Sequence, residues 1–185
     1  MKFTKTLLTT TLFSLSIIGC SQTTYTTSTQ ETQFQQIDKS IDNQDFETAF
    51  KLLKPLAEQG YVDAQHNLGV MYANGQGVKQ NYAEAVKWYR QAAEQGHTYA
   101  QNNLGIMYDS GRGVKQNYAE AVKWFRKAAD QGYTYAQNNL GVYYEYGVGV
   151  RQDKRKAKEY FGLACDGGEQ LGCDNYRRLN KAGIR

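Results

Sequence analysis

YVDAQHNLGVMYANGQGVKQNYAEAVKWYRQAAEQG, residues 61–96, is followed at once by a close copy of itself, HTYAQNNLGIMYDSGRGVKQNYAEAVKWFRKAADQG, residues 97–132. The two stretches are identical at 25 of 36 aligned positions, without a gap. A third and looser copy covers residues 133–168. A fixed period of about 20–50 residues is typical of a repeat array, so we predict a stack of like units.

Each unit has the pattern of two helices separated by a glycine turn. In the second unit, the apolar face of the first helix comprises Ala100, Leu104, Met107 and Tyr108. Thr98, followed by Gln101, predicts the start of this helix in the manner of a capping box. Asn117, followed by Glu120, predicts the start of the second helix in the same way. The buried face expected for that helix comprises Tyr118, Ala121, Val122, Phe125, Ala128 and Ala129.

Glycine recurs inside the first helices, at Gly69, Gly105 and Gly141. Within a helix, glycine costs about 1 kcal/mol relative to alanine, so its recurrence predicts a close approach of another helix backbone at each point. A single hairpin cannot bury its apolar face alone, and neighbouring units must therefore stack.

The two ends of the array depart from the repeat, as terminal units do. Residues 34–60 are predicted to form N-terminal capping helices, because residues 46–60 align with the second helix of a unit. Residues 169–185 are predicted to form a C-terminal capping helix and tail. Complete units then occupy residues 61–96, 97–132 and 133–168.

The chain opens with a pattern typical of an export signal. Lys2 and Lys5 are followed by an apolar run, residues 7–18, that is too short to cross a bilayer. The junction at Cys20 resembles the lipobox of bacterial lipoproteins. This implies that residues 1–19 are a cleaved signal peptide and that Cys20 carries a lipid. An ordinary signal peptide with an incidental cysteine is the alternative.

The segment after the cysteine, residues 20–33, is dominated by Thr, Gln and Ser and is predicted to be a lipidated, flexible tether. In the lipoprotein family, a residue such as Ser21 after the cysteine implies sorting to the outer membrane. We therefore expect a lipoprotein of the bacterial envelope, facing the periplasm and held to the membrane by its N-terminal lipid.

Charge argues against nucleic acid as a partner. The formal net charge is +4, and loss of Lys2 and Lys5 with the signal peptide lowers it to +2. Residues 151–185 carry a net +4 and residues 20–150 a net −2, which falls short of a dense basic stripe. We interpret the basic end as a solvated helix face, with contact to anionic lipid headgroups as the alternative.

The motif A-x-x-x-L-G-x-x-Y-x-x-G-x-G-V, followed by A-x-x-W-[YF]-x-x-A-A-x-x-G, resembles the Sel1-like repeat family over about residues 46–176. These repeats are relatives of tetratricopeptide repeats. The resemblance implies an all-α fold, a right-handed superhelical solenoid of antiparallel helix hairpins, present as a monomer.

Cys165 and Cys173 have the spacing seen in the cysteine-rich subgroup of Sel1-like proteins. There, such a pair is a disulfide that pins two helices together, and an exported chain meets an environment that permits it. The alternative is two free buried thiols.

No catalytic or metal-binding arrangement is visible in the mature sequence. His66 and His97 lie far apart, and neither has a Cys or His at ligand spacing. No serine begins Ser-x-x-Lys or occupies Gly-x-Ser-x-Gly. The repeated Gly-x-Gly lacks the third glycine and preceding strand of a phosphate loop. We expect no catalytic residue, no metal and no cofactor.

In the Sel1-like family, the first helices line a concave groove, which the resemblance makes the expected binding surface. The residues expected there are Asp63, His66, Asn67 and Val70 in the first unit, Tyr99, Asn102, Asn103 and Ile106 in the second, and Tyr135, Asn138, Asn139, Val142 and Tyr146 in the third. Asn offers both donor and acceptor to an extended peptide, and Tyr supplies contact area at low entropy cost. Alternatively, the asparagines cap internal backbone groups.

These observations predict a non-enzymatic scaffold in the bacterial envelope that binds a partner protein or extended peptide in its groove. The resemblance also allows a more specific role, because some Sel1-like lipoproteins are immunity proteins that neutralise secreted effectors. The alternative function is β-lactam binding or weak β-lactam hydrolysis, as implied by the cysteine-rich Sel1-like proteins.

Overall fold

The computed structural model describes the backbone of residues 23–185 and the side chains of residues 32–185. The predicted signal peptide, Cys20 and Ser21 lie outside the described residues. Over residues 23–185 the regular structure is entirely helical: α1 (Thr23–Asp42), α2 (Phe46–Glu58), α3 (Val62–Asn74), α4 (Tyr82–Glu94), α5 (Thr98–Ser110), α6 (Tyr118–Asp130), α7 (Thr134–Tyr146), α8 (Lys154–Asp166) and α9 (Gln170–Lys181). None of the helices in this part of the chain is both long and apolar enough to span a membrane.

The helices stack in chain order. Each helix packs chiefly against the helix before it and the helix after it. The pairs α3–α4, α5–α6 and α7–α8 are the hairpins of the three units, α1 and α2 precede them, and α9 closes the array. The predicted all-α solenoid of helix hairpins is thereby confirmed.

The Gly-x-Gly loops join the two helices of each hairpin. The first glycine, such as Gly111, ends the first helix in the left-handed region (φ 68°), where residues with a Cβ are disfavoured. The second, such as Gly113, has φ 70°, and a Cβ there would overlap the backbone of Tyr82 at the start of α4. The loop of one unit thus lies on the start of the preceding second helix, and glycine allows that approach.

Side chains cap the starts of α2, α4, α5, α6, α8 and α9, whereas α3 and α7 begin without such a bond. Asn117 accepts a hydrogen bond from the backbone N–H of Glu120 (3.1 Å), which confirms the predicted cap of α6. The capping box expected at Thr98 is wrong. His97 is the cap of α5, and its Nδ1 accepts from the N–H of Ala100 (3.1 Å). Gln101 is buried instead, since it serves a contact between units.

Aromatic rings, not a helix backbone, occupy the space above the glycines of the first helices. A Cβ at Gly69 would lie 2.6 Å from the ring of Tyr89, and one at Gly105 would lie 2.7 Å from the ring of Phe125. The expected close approach of two backbones is therefore corrected. Glycine is needed because the second helix of the same hairpin lays a large buried ring across it.

Most of the predicted helix faces are buried, with one clear exception. Ala100, Leu104 and Met107 are at most 1% exposed. Tyr118, expected in the buried face of α6, is 40% exposed. It is the first residue of that helix, and the next unit's loop meets it mainly at backbone atoms around Gly149, so most of its ring is left in solvent.

The helix α1 corrects the flexible tether expected over residues 20–33, because the chain is already helical at Thr23. Ile37 is buried against α2, and Phe34 packs edge-on against Tyr61 with ring centroids 6.0 Å apart. Once this packed part is helical, each added residue gains a backbone hydrogen bond at small entropic cost. The helix therefore extends into the polar segment.

A buried glutamine links the start of each first helix to the second helix that precedes it. The side-chain amides of Gln65, Gln101 and Gln137 donate to the carbonyl oxygens of Ala57, Ala93 and Ala129, at 3.2, 3.1 and 3.3 Å. Cys165 and Cys173 occupy the next pair of positions, 36 residues further on, and they form a disulfide. The predicted pairing is confirmed, and it replaces the glutamine link at the end of the array.

Candidate protein-binding face

An exposed row of aromatic rings runs along the starts of the first helices. Tyr99 and Tyr135 are 40% and 56% exposed and occupy the same position of successive units. The ring of Tyr133 lies between them, with centroids 5.2 Å from Tyr99 and 5.5 Å from Tyr135. We call Tyr99, Tyr133 and Tyr135 the aromatic row. Leu171, 59% exposed, holds the corresponding position in α9.

Two histidines and an aspartate form the joint between the first and second units. Nε2 of His97 donates to Oδ1 of Asp63 (3.2 Å), since its Nδ1 is occupied as the cap of α5. The rings of His66 and His97 are stacked with centroids 4.5 Å apart. The amide of Asn103 donates to Nε2 of His66 (3.2 Å). The joint is thus held by polar groups from α3, α5 and the loop between α4 and α5.

Burial decides the charge state of this joint. His66 is 2% exposed, and its desolvation lowers the pKa of the imidazole to about 3. The ring is therefore neutral at physiological pH. The hydrogen bond from His97 lowers the pKa of Asp63 and keeps it charged. Within residues 32–185, no group of three His, Cys, Asp or Glu side chains is placed to hold a metal ion.

The asparagines of the first helices are used partly inside the array. Asn103 hydrogen-bonds His66, and Asn175 of α9 donates to Oδ1 of Asn138 (3.2 Å). Both contacts join residues 37 positions apart, so they bridge consecutive first helices. Oδ1 of Asn102 is buried without a hydrogen-bond partner. These contacts favour the alternative in which part of the ladder is internal, although the partners are side chains and not backbone groups.

Four of the residues expected to line the groove are buried, which corrects the expected surface. These are His66, Val70, Asn102 and Asn103, each at most 8% exposed. His66 and Asn103 meet in a buried contact between α3 and α5, and Val70 belongs to a core cluster with residues of α4 and α5. The expected residues that keep accessible surface are Asp63, Asn67, Tyr99, Ile106, Tyr135, Asn138, Asn139, Val142 and Tyr146.

The far ends of the first helices carry charged contacts that the sequence analysis missed. Glu145, 6% exposed, accepts two hydrogen bonds of 2.6 Å from the guanidinium of Arg178 in α9. Asp109, at the equivalent position of the preceding unit, accepts a hydrogen bond from the hydroxyl of Tyr143. Tyr146, next to Glu145 at the end of α7, is 64% exposed.

Two contributors to the exposed row were also missed, and the period alone could have found one of them. Leu171 lies 36 residues after Tyr135, so extending the repeat into the capping helix would have placed it. Tyr133 precedes α7 as its cap residue. Its contact with Tyr99 depends on how the units are rotated against one another.

Hairpins stacked in one direction, with large apolar side chains repeated on an exposed face, define the class of helical repeat proteins that bind along their length. The chain belongs to the Sel1 repeat family, whose model matches residues 42–61, 62–97, 98–133 and 134–169. Proteins of this family generally mediate protein–protein interaction and are generally not catalytic.

Three solved structures show how far the likeness extends. The c5321 protective antigen of uropathogenic Escherichia coli is 42% identical (TM-score 0.74), with 75% of this chain and 30% of that chain covered. A Sel1 repeat protein from Oxalobacter formigenes is 31% identical (TM-score 0.77), with 82% of this chain and 61% of that chain covered. Cysteine rich protein B of Helicobacter pylori is 26% identical (TM-score 0.55), with 68% of this chain and 95% of that chain covered. No curated protein matches this chain. The chain thus spans less than two thirds of the first two structures.

Proposed function

We propose that this protein is a non-enzymatic scaffold that binds an extended segment of a partner protein along the aromatic row. The observation that carries the proposal is the repetition of exposed apolar side chains at one position of successive units, at Tyr99, Tyr135 and Leu171. Exposed single apolar residues are common, but a contiguous row marks a binding surface.

The chemistry of the face suits a partner's main chain and apolar side chains. Tyrosine rings give a large, rigid contact area with few rotatable bonds. Asn139, which is partly accessible, carries both a donor and an acceptor. Asp63 occupies the position in the first unit that corresponds to Tyr99. An immunity protein that covers a secreted effector is one specific form of such a scaffold.

The experiment compares three forms of the full chain in affinity purification from envelope extracts. We expect the Tyr99→Ala/Tyr135→Ala variant to lose the co-purifying partner and the wild type to retain it. Tyr118→Ala is the matched control, because that tyrosine is also 40% exposed but lies on a second helix. Retention of every partner by the double variant would exclude the aromatic row as the binding surface.

The proposed location is the bacterial envelope, through a lipid on Cys20, facing the periplasm from the outer membrane. The support is the lipobox-like junction that ends at Cys20 and the Ser21 that follows it. Cys20→Ser should abolish labelling by radioactive palmitate and release the protein into the soluble fraction. Continued labelling of the variant would contradict the anchor.

A further inference from the structure

A glutamine at the end of α6 is bound by a set of groups around the start of α5. Nε2 of Gln131 donates to Oε1 of Gln101 (2.8 Å) and to the carbonyl oxygen of Gly96 (3.1 Å). Oε1 of Gln131 accepts from the hydroxyl of Thr98 (2.8 Å). Both ends of one carboxamide are therefore bound: the NH₂ by these two acceptors and by the more distant carbonyl oxygen of Lys127 (3.4 Å), and the oxygen by a donor.

The preceding hairpin, α3–α4, repeats most of this arrangement. Nε2 of Gln95 donates to Oε1 of Gln65 (2.8 Å) and lies 3.4 Å from the carbonyl oxygen of Gly60. Val62 stands where the second hairpin has Thr98. The NH₂ group therefore donates hydrogen bonds in both hairpins, whereas the carboxamide oxygen accepts one from a hydroxyl only in the second.

In the third hairpin, α7–α8, the equivalent binding groups are present, but the glutamine is missing. Gln137, Gly132 and Thr134 stand 36 residues after the groups that bind Gln131. Gly167 occupies the position where a glutamine would be expected. By equivalence with the two preceding hairpins, Gln137, Gly132 and Thr134 should border the space beside Gly167, which we call the Gly167 notch.

The acceptor at the base of the notch is left without a partner. Gln137 is 7% exposed, and its Nε2 donates to the carbonyl oxygen of Ala129, as in the other units. Its Oε1 is buried and has no hydrogen-bond partner. The equivalent atom in the preceding hairpin, Oε1 of Gln101, accepts a hydrogen bond from Gln131. A buried, unpaired acceptor is unusual in folded proteins, and it points to a donor that is supplied from outside the chain.

We propose that the Gly167 notch binds a primary carboxamide, supplied by a glutamine or asparagine side chain of a partner protein. The NH₂ of the ligand donates to Oε1 of Gln137 and to the carbonyl oxygen of Gly132. The hydroxyl of Thr134 donates to the ligand oxygen. The chain itself provides the template, because Gln131 makes these contacts one unit earlier.

Entry requires a local movement of Thr134. A Cβ at residue 167 would overlap the methyl group of Thr134, so this side chain has turned into the space that a glutamine stem would fill. Rotation about χ1, between staggered wells, withdraws the methyl group and can present the hydroxyl. A carboxylate lacks N–H donors and would face two acceptors, and a dialkylated amide lacks them too. The notch should reject both.

The test titrates the full chain, labelled with ¹⁵N, with propionamide and follows the side-chain NH₂ signals of Gln137. Binding of so small a ligand should have a dissociation constant of about 1–100 mM. Propionate and N,N-dimethylpropionamide are the matched controls. Gly167→Gln is the blocking variant, since its own carboxamide fills the notch. Asp166→Gln is its control, because it adds a carboxamide at the exposed neighbouring position and leaves residue 167 without a Cβ.

Saturable shifts with propionamide that vanish in the Gly167→Gln variant and persist in Asp166→Gln would support the site. Equal shifts in Gly167→Gln, or equal shifts with propionate, would overturn it. A second arm compares acetyl-Gln-N-methylamide with acetyl-Glu-N-methylamide, and we expect at least a tenfold preference for the glutamine compound. The notch adjoins the aromatic row along the chain, but the two sites are tested with different variants and different ligands, so either can fail without the other.

Discussion

Cys173 is bonded to Cys165 at a position where the preceding units have a hydrogen bond. In those units, a glutamine of the first helix donates to an alanine carbonyl oxygen of the helix before it. The separation along the chain, eight residues, is the same in the hydrogen-bonded and the covalent links. The last helix has no following unit to hold it in place, and terminal units of a repeat array fray first. The covalent link is therefore placed where a hydrogen bond would protect least.

Removing the disulfide should destabilise α9, and replacing it with the alanine–glutamine pair of the other units should recover part of that loss. Closing this loop stabilises by about 2.5 kcal/mol on the chain-entropy estimate. We expect Cys165→Ala/Cys173→Ala to lose about that much protection of the α9 amides in hydrogen exchange. Cys165→Ala/Cys173→Gln should keep about 1 kcal/mol more, because it regains the hydrogen bond. Equal exchange rates in the two double variants would show that the glutamine link does not form there.

Acid should destabilise the protein through His66. The pKa of His66 is about 3 in the folded chain, because of burial, and about 6.5 when unfolded. The unfolded state therefore binds a proton first as pH falls, and stability present above pH 6.5 is lost below it. The loss at pH 5 is about 2 kcal/mol. His66→Asn should reduce this loss, since Asn102 and Asn138 fill the same position in the other units.

Thermal denaturation at pH 7 and pH 5 measures this effect. The groups that face His66 are Asp63, His97 and Asn103, with Tyr89 and Tyr99 in ring contact, and all five are kept in the variant. An equal fall in melting temperature for the two proteins would assign the acid sensitivity to another group.

Filling the glycine position under a buried ring should be costly. A Cβ at Gly105 would lie 2.7 Å from the ring of Phe125, and overpacking of this kind costs about 1–3 kcal/mol. Gly162→Ala is the control, because its Cβ would lie an ordinary 3.4 Å from Tyr176, and alanine gains about 1 kcal/mol of helix propensity. Urea denaturation should therefore separate the two variants. Adding Phe125→Leu to Gly105→Ala should recover part of the loss.

Two neighbouring arginines of α9 should differ sharply in importance. Arg178 pairs with the buried Glu145, whereas Arg177 pairs with an exposed Asp174. Arg178→Ala leaves a buried carboxylate without its partner and should cost about 2 kcal/mol. Arg177→Ala should cost less than about 0.5 kcal/mol. The melting temperatures of the two variants provide the measurement, and equal shifts would contradict a structural role for the Glu145 pair.

The repeat pattern was enough to predict the hairpins, because each local signal recurs in the same place. Ala100, Leu104 and Met107 were predicted to be buried and are buried, and the cap at Asn117 is where the spacing indicated. These features depend on neighbours within one helix or one hairpin. The disulfide followed from a family resemblance, and it was confirmed.

The binding face could be predicted only in part. Tyr99 and Tyr135 are exposed as expected, but His66 and Asn103 are buried against each other. A helical wheel gives the direction of a side chain from its own helix axis. It does not give the rotation and spacing between one unit and the next, and these decide which outward side chains are covered.

The sequence by itself therefore determined the architecture, since a period of 36 residues with two helical faces per period allows little else than stacked hairpins. Only the tertiary structure decided the contacts between units. Examples are the stacking of His97 on His66, the aromatic row through Tyr133, and the unpaired Oε1 of Gln137 beside Gly167. Such contacts join residues about 30–37 positions apart, and their geometry depends on the superhelical offset, which no local pattern encodes.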